Sequence, residues 1–189
     1  MQDALPFLIV GVPILLVLIW TIANYNRMVR LRNHITESWS NIDVELKRRY
    51  ELVPNLVETV KGYAKHERDT LERVIELRNR AVASTGSANQ QALDESALQI
   101  GLKQVFALAE GYPQLKADAH FLALQQELSL TEDRIAAARR FYNGNTRDLR
   151  QLCEQFPTSI LASMFHVEPP EFFELESEAE RVVPRVSLD

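Results

Sequence analysis

From Ala4 to Asn26 the chain runs 23 residues without a charged side chain, and the stretch Leu5 to Ala23 inside it is almost wholly apolar. As a helix rising 1.5 Å per residue it covers about 35 Å, slightly more than the ~30 Å hydrocarbon core of a bilayer. Lipid offers no hydrogen bonds to a bare backbone, so a helix is the form in which one such segment can cross. Pro6 and Pro13 lie near its start, where a missing N–H costs least or a membrane helix tolerates a kink, and Trp20 and Tyr25 fall where interfacial aromatics gather. A cleaved signal peptide is the rival reading, but no basic residue precedes the apolar run and no small-x-small site follows it before Asn24 and Tyr25. The segment is therefore read as an uncleaved transmembrane anchor held in the lipid bilayer through Leu5 to Ala23. Asp3 is the sole charge before it, whereas Arg27, Arg30 and Arg32 follow with no acid until Glu37. Positive flanks stay cytoplasmic, which predicts a single-pass protein of the inner (cytoplasmic) membrane, N-terminus outside and the C-terminal domain cytoplasmic.

Beyond the anchor the chain reads as all-α, with long helices in an antiparallel four-helix bundle. Residues 1–26 form the N-terminal segment and anchor, 27–166 the bundle, and 167–189 an acidic tail. Met28, Leu31, Ile35, Trp39, Ile42, Leu46, Tyr50 and Val53 recur at steps of three and four, the spacing of one apolar helical face. Pro54 biases Val53 away from helical dihedrals and suits a first helical position, so Leu52 to Asn55 is expected to be a tight turn or a sharp kink, and we read it as a turn. A second helix then carries Leu56, Val60, Ala64, Leu71, Val74 and Ala81 and ends in a loop at Ser84 to Ser87. Ser87 and Gln90 have capping-box spacing for a third helix, stopped near Gly111 and Pro113. The last helix has the most regular pattern: Phe121, Leu124, Leu128, Thr131, Ile135, Ala138, Tyr142, Asn145, Leu149, Leu152 and Phe156 alternate steps of three and four, a seam for a bundle or a coiled coil. Gly144 is its weak point, since a mid-helix glycine costs about 1 kcal/mol relative to alanine. Thr158 to Phe165 is expected to cap one end of the bundle. Glu168 to Glu180 carries six glutamates and no base, and beyond about Glu176 the tail is expected to be disordered, because it buries too little apolar surface to offset ordering entropy.

The same residues argue against most chemistries. A net charge of −5 lacks the basic balance of a dedicated nucleic-acid binder, and none is expected as a partner. The single cysteine, Cys153, leaves no intrachain disulfide and no Cys-rich metal framework. Dimetal bundles use Glu-x-x-His pairs, but the residues three before His34, His66, His120 and His166 are Leu31, Tyr63, Ala117 and Ser163. No nucleophile elbow and no phosphate loop occurs, so no catalytic residue, metal or cofactor is expected and the chain is read as a non-enzyme. Lys47-Arg48-Arg49 is read first as a solvated basic face and second as a patch for acidic helices or lipid headgroups. Polar residues beside the apolar seams, Asp43, Asn55, Glu58, Arg78, Glu132, Arg139 and Arg140, are read first as fixing helix register and second as lining a binding site.

A family resemblance rests on two long motifs. Trp39, Ile42-Asp43-Val44, Leu46, Arg48-Arg49, Leu52, Pro54-Asn55-Leu56-Val57, Val60, Lys61-Gly62-Tyr63-Ala64 and His66-Glu67 form the first. Tyr112-Pro113, Leu115-Lys116-Ala117, Phe121, Leu124, Leu128, Thr131-Glu132, Ile135, Ala138-Arg139-Arg140 and Tyr142-Asn143 form the second. Together they closely resemble the LemA family of bacterial membrane proteins, over roughly Asn24 to Glu174. Gly144 to Leu149 departs from the Asn-rich run that the family often has there. The resemblance implies an N-terminal membrane helix, a cytoplasmic bundle of antiparallel helices and no established enzymatic activity. The expected function is a membrane-tethered scaffold or adaptor for protein partners, with self-association through the last helix open. The alternatives are an accessory subunit of a membrane protease in envelope quality control, or a ligand-sensing bundle. Trp39, Asp43, Arg49, Pro54, Asn55, Glu67, Arg139 and Asn143 are the candidate structural or interaction residues.

Overall fold

The computed structural model describes residues 5–84 and 86–174, and all regular structure among them is helical. In chain order the helices are α1 (Leu5–Tyr63), α2 (Arg68–Ala83), α3 (Ala88–Ala109), α4 (Pro113–Lys116), α5 (Ala119–Glu154) and α6 (Thr158–Met164). The described residues fall into two compact units, one of 5–39 with 140–170 and one of 40–139 with 171–174.

The expected turn at Pro54 is absent: α1 is a single helix of 59 residues that passes through it. The reason lies on either side of the proline. Ile42, Leu46, Arg49, Val53, Leu56 and Val60 are all buried, so the alternation of threes and fours crosses Pro54 without a break in register. Proline also removes the N–H that would bond the carbonyl of Tyr50, four residues back. That carbonyl instead accepts from Arg78 Nε on α2 at 3.1 Å. The break comes later, at Ala64 to Glu67, which splits the expected second helix between the end of α1 and α2.

In the unit of 40–139, α2 packs against α3. Gly101 sits at the contact, where a Cβ would lie 2.9 Å from Leu77 Cδ1. Ser87 caps α3 by accepting from the Gln90 amide at 3.4 Å, as its spacing predicts. At the end of α1, Tyr63 donates to Asp118 Oδ2 at 2.8 Å, and Asp118 Oδ1 accepts from the Phe121 amide at 2.9 Å, capping α5. The Phe121 amide and the Tyr63 hydroxyl hold the Asp118 carboxyl below the usual carboxylate range. Glu45 lies 3.9 Å from Arg134 and Arg49 lies 2.8 Å from Glu132, so position falls along α5 as it rises along α1 and the two run antiparallel here.

In the other unit the same opposition holds. The rings of Trp39 and Tyr142 meet at 5.3 Å, Asn145 donates to Ser38 Oγ at 3.4 Å, and Tyr25 meets Phe165 at 4.6 Å. α5 continues through Gly144 without interruption. Most of the predicted seam is buried, but Phe156 is 83% exposed, because α5 ends at Glu154 and the last seam position falls outside the helix. The half-buried Cys153 thiol donates to the Val167 carbonyl at 3.4 Å, and burial pushes its pKa up, which favours the protonated form. Val167 to Glu174 is irregular, and its last part, with the fully buried Phe173, belongs to the unit of 40–139. The expectation of disorder past Glu176 concerns residues outside those described.

One long apolar N-terminal helix segment is a candidate membrane span by length and composition, with a mean hydropathy of 1.4 in its most apolar window. From Val10 to Ile22 its large apolar side chains are exposed on every side. A helix that is hydrophobic all round and uncovered by protein has the surface of one solvated by lipid.

Candidate functional site

Arg49 sits on the apolar stripe of α1, between Leu46 and Val53, and is 1% exposed. A guanidinium at that depth has to be paired, because an isolated buried charge is far costlier than a buried polar group. Glu95 on α3, also 1% exposed, takes Arg49 Nη2, and Glu132 on α5 takes Nη1 at 2.8 Å. The cluster extends outwards from there. Tyr50 donates to Glu95, and Gln99 donates to Glu132 Oε1 at 2.7 Å. Three helices that are remote in sequence are thereby tied at one level.

Tyr50 shows what this environment does to proton chemistry. Burial and the negative charge of Glu95 drive its phenol well above the ordinary tyrosine range, and the nearby Arg49 only partly opposes them. The hydroxyl stays protonated at any physiological pH and acts as a donor to Glu95, unavailable as a base. Arg49 Nε finds no acceptor among the described residues, and Arg49 borders a cleft of about 310 Å³ with Gln99, Lys103, Phe106, Glu132 and Asp133. No group of three or more His, Cys, Asp and Glu with metal-ligand geometry occurs among the described residues.

Of the polar residues singled out from sequence, Arg49 and Glu132 are in this cluster. Pro54 contributes indirectly, since the carbonyl it frees is bonded by Arg78, whose neighbour in the chain is the buried stripe of α2. Trp39 is half-buried against Tyr142. Asp43 is a surface partner of Lys47 at 2.6 Å, the i,i+4 pairing of an exposed helix face. Asn55 is exposed, its carbonyl accepting from Thr59 Oγ1 at 2.8 Å. Glu67 precedes α2 and accepts from the Tyr112 hydroxyl at 3.2 Å. Arg139 and Asn143 are half-buried along α5. The basic run does not act as one face: Lys47 and Arg48 are exposed, and Arg49 is buried.

Glu95 was missed, although a signal for it exists. It falls between Ala92 and Leu98 in the series Ala92, Glu95, Leu98, Leu102, Val105 and Ala109, every member of which is buried. An acid on a core stripe of one helix and a base on the core stripe of another are the two halves of an interior ion pair.

A family model described as the LemA family matches residues 38–188. The chain belongs to the LemA family. A relative, Protein LemA of Metamycoplasma hominis, is 28% identical over 161 residues, which cover 83% of this chain and 71% of the relative. Arg49, Glu95 and Glu132 all lie inside the region that matches the LemA family model.

Proposed function

We propose that this LemA-family protein is a membrane-tethered helical scaffold: a single-pass anchor in the inner membrane, N-terminus outside, presenting an antiparallel four-helix bundle of α1, α2, α3 and α5 to protein partners at the cytoplasmic face. The observation that carries this reading is the exposed apolar start of α1, in the same helix as the buried Arg49, followed by Arg27, Arg30 and Arg32. The reading assigns no catalytic step. Arg49, Glu95, Glu132 and Tyr50 serve to fix which helix levels meet, the role for which interior polar groups are best attested. For partner binding, the support is a groove of about 540 Å³ between the end of α1 and α2. Its floor holds Val57, Leu71 and Ile75, and on its rim Lys61 and Arg68 pair with Glu58 and Glu72 beside Lys65, which suits the apolar face of a partner helix within a mixed-charge border.

The test is purification of the full chain in mild detergent followed by mass spectrometry of what accompanies it. A stoichiometric protein partner lost on Leu71→Glu and kept on an exposed control such as Val44→Glu is the expected result. A reporter fused after Asp189 that is active only outside the cytoplasm overturns the orientation. A second reading, a ligand-sensing bundle, draws on the cleft beside Arg49, whose Nε has no acceptor among the described residues. A small molecule retained without any protein partner would favour it.

A further inference from the structure

α6 and the residues around it have two apolar sides. Thr158, Leu161 and Ala162 are buried. On the other side Phe156 is 83%, Ile160 55% and Met164 58% exposed, and Phe165 beside them is 43% exposed. Ile160 and Met164 are four apart on α6, which places them along one line of its surface, and Phe156 lies in the turn just before the helix. From Gln155 to Val167 the chain has no Asp, Glu, Lys or Arg to solvate this side. The exposed polar side chains here, Gln155, Ser163 and His166, are few beside four large exposed apolar ones, an uncommon balance for a helix end facing water.

Its position says what meets it. The ring of Phe165 packs on Tyr25 at 4.6 Å. Tyr25 is the penultimate residue of the uncharged stretch of α1, and the exposed Arg27 and Arg30 follow within five residues. That level of α1 is where aromatic rings and then positive charges occupy the headgroup region of a bilayer. We propose that α6 is an interfacial foot: Phe156, Ile160, Met164 and Phe165 lie in the headgroup–acyl boundary of the membrane that α1 crosses. The proposal rests on the membrane-anchor reading above and adds a second, reversible lipid contact beside the permanent one. Amphipathic segments of this kind lie in the plane of the interface, with the apolar side roughly 5–10 Å into the boundary.

The experiment uses the full chain in liposomes of mixed zwitterionic and anionic lipid, with Cys153→Ser as background and one spin label at a time. Labels are placed through Ile160→Cys, Met164→Cys, Ile14→Cys and Val44→Cys, each at an exposed position. Collision with dissolved oxygen, which enters lipid, is compared with collision with a water-soluble nickel chelate. The expected result is oxygen dominance at 160 and 164 at a shallow depth, deeper immersion at 14, and chelate dominance at 44. Chelate dominance at 160 and 164 with 14 still immersed overturns the foot and leaves the anchor standing. Screening of 160 and 164 from both probes overturns it in favour of a protein, or a second copy of this chain, covering the face. A label at 14 that meets the chelate freely removes the anchor reading and this inference with it.

Discussion

Replacing Arg49 by methionine tests whether the buried cluster is structural. The substitution keeps the aliphatic stem of the side chain and deletes the guanidinium, so it leaves Glu95 at 1% exposure with the Tyr50 hydroxyl as its donor. Glu132, whose side chain is 31% exposed, can turn to water and contributes little to the penalty. Breaking one side of a buried ion pair costs about 3–5 kcal/mol. For a chain of this size each kcal/mol moves the melting temperature by about 2–4 °C, which gives a loss of roughly 6–20 °C. Arg49→Met combined with Glu95→Leu removes both buried charges, and an apolar replacement of a buried pair is often neutral or stabilising. The double variant is therefore expected to recover most of the loss, which requires a coupling between the sites of about 3 kcal/mol or more, at the top of the range for contacting residues. The measurement is thermal and urea unfolding of the full chain in detergent, followed by circular dichroism. A loss below about 1 kcal/mol for Arg49→Met, or a double variant as unstable as the two single losses added together, would refute the reasoning. Unchanged stability with loss of a copurifying partner would turn the cluster into a binding site.

Further outcomes follow from single contacts. Arg78→Met should cost about 1.5–3 kcal/mol, the range for a hydrogen bond from a charged donor, and less than half of that in a Pro54→Ala background, where residue 54 regains an N–H for the Tyr50 carbonyl; an undiminished cost in that background refutes the account of how α1 passes Pro54. Gly144→Ala should stabilise by about 0.5–1 kcal/mol in urea unfolding, since among the described residues the added Cβ would meet nothing within 4 Å beyond its chain neighbours and its own helix backbone, and alanine is the better helix former. Asp118 has a depressed pKa, so the stability it confers is complete above its ordinary value of 3.8 and is lost as pH falls through the lower folded value. Acid unfolding curves of the wild type and Asp118→Asn should converge at low pH and separate above that value, and parallel curves throughout would show that the Phe121 and Tyr63 bonds do not favour the carboxylate.

Much of the fold is legible in the chain because its helices are long and their buried stripes regular. The start of α3 follows from Ser87 and Gln90, and the seam of α5 from one run of threes and fours. Two misreadings have distinct physical causes. Phe156 keeps the seam's spacing, yet spacing says nothing about where a helix stops, and α5 stops two residues earlier. The turn assigned to Pro54 came from weighing a local rule above a longer one. Proline costs a helix about 3 kcal/mol, whereas Leu46, Val53, Leu56 and Val60 would each forfeit about 1.5–3 kcal/mol of burial if the register slipped. Several such residues against one proline decide the matter for the helix, and Arg78 lowers the cost further by bonding the freed carbonyl.

The same weighing explains why the cluster was only half readable. A charged residue on a buried stripe is a local fact, visible for Arg49 between Leu46 and Val53 and for Glu95 between Ala92 and Leu98. Which base meets which acid is not local, because it depends on the levels at which α1, α3 and α5 are brought together. Arg49 and Glu95 are 46 positions apart, and Arg49 and Glu132 are 83 apart. No rule of spacing within one helix links such pairs. The dependence also runs the other way: a slide of α1 by one turn against α3 would bury Arg49 without Glu95, and that mismatch excludes the slid arrangement more strongly than any pair of leucines could. The ion cluster is thus hard to pair from sequence for the reason it is useful in the fold, since it discriminates among helix alignments that the apolar stripes alone would accept.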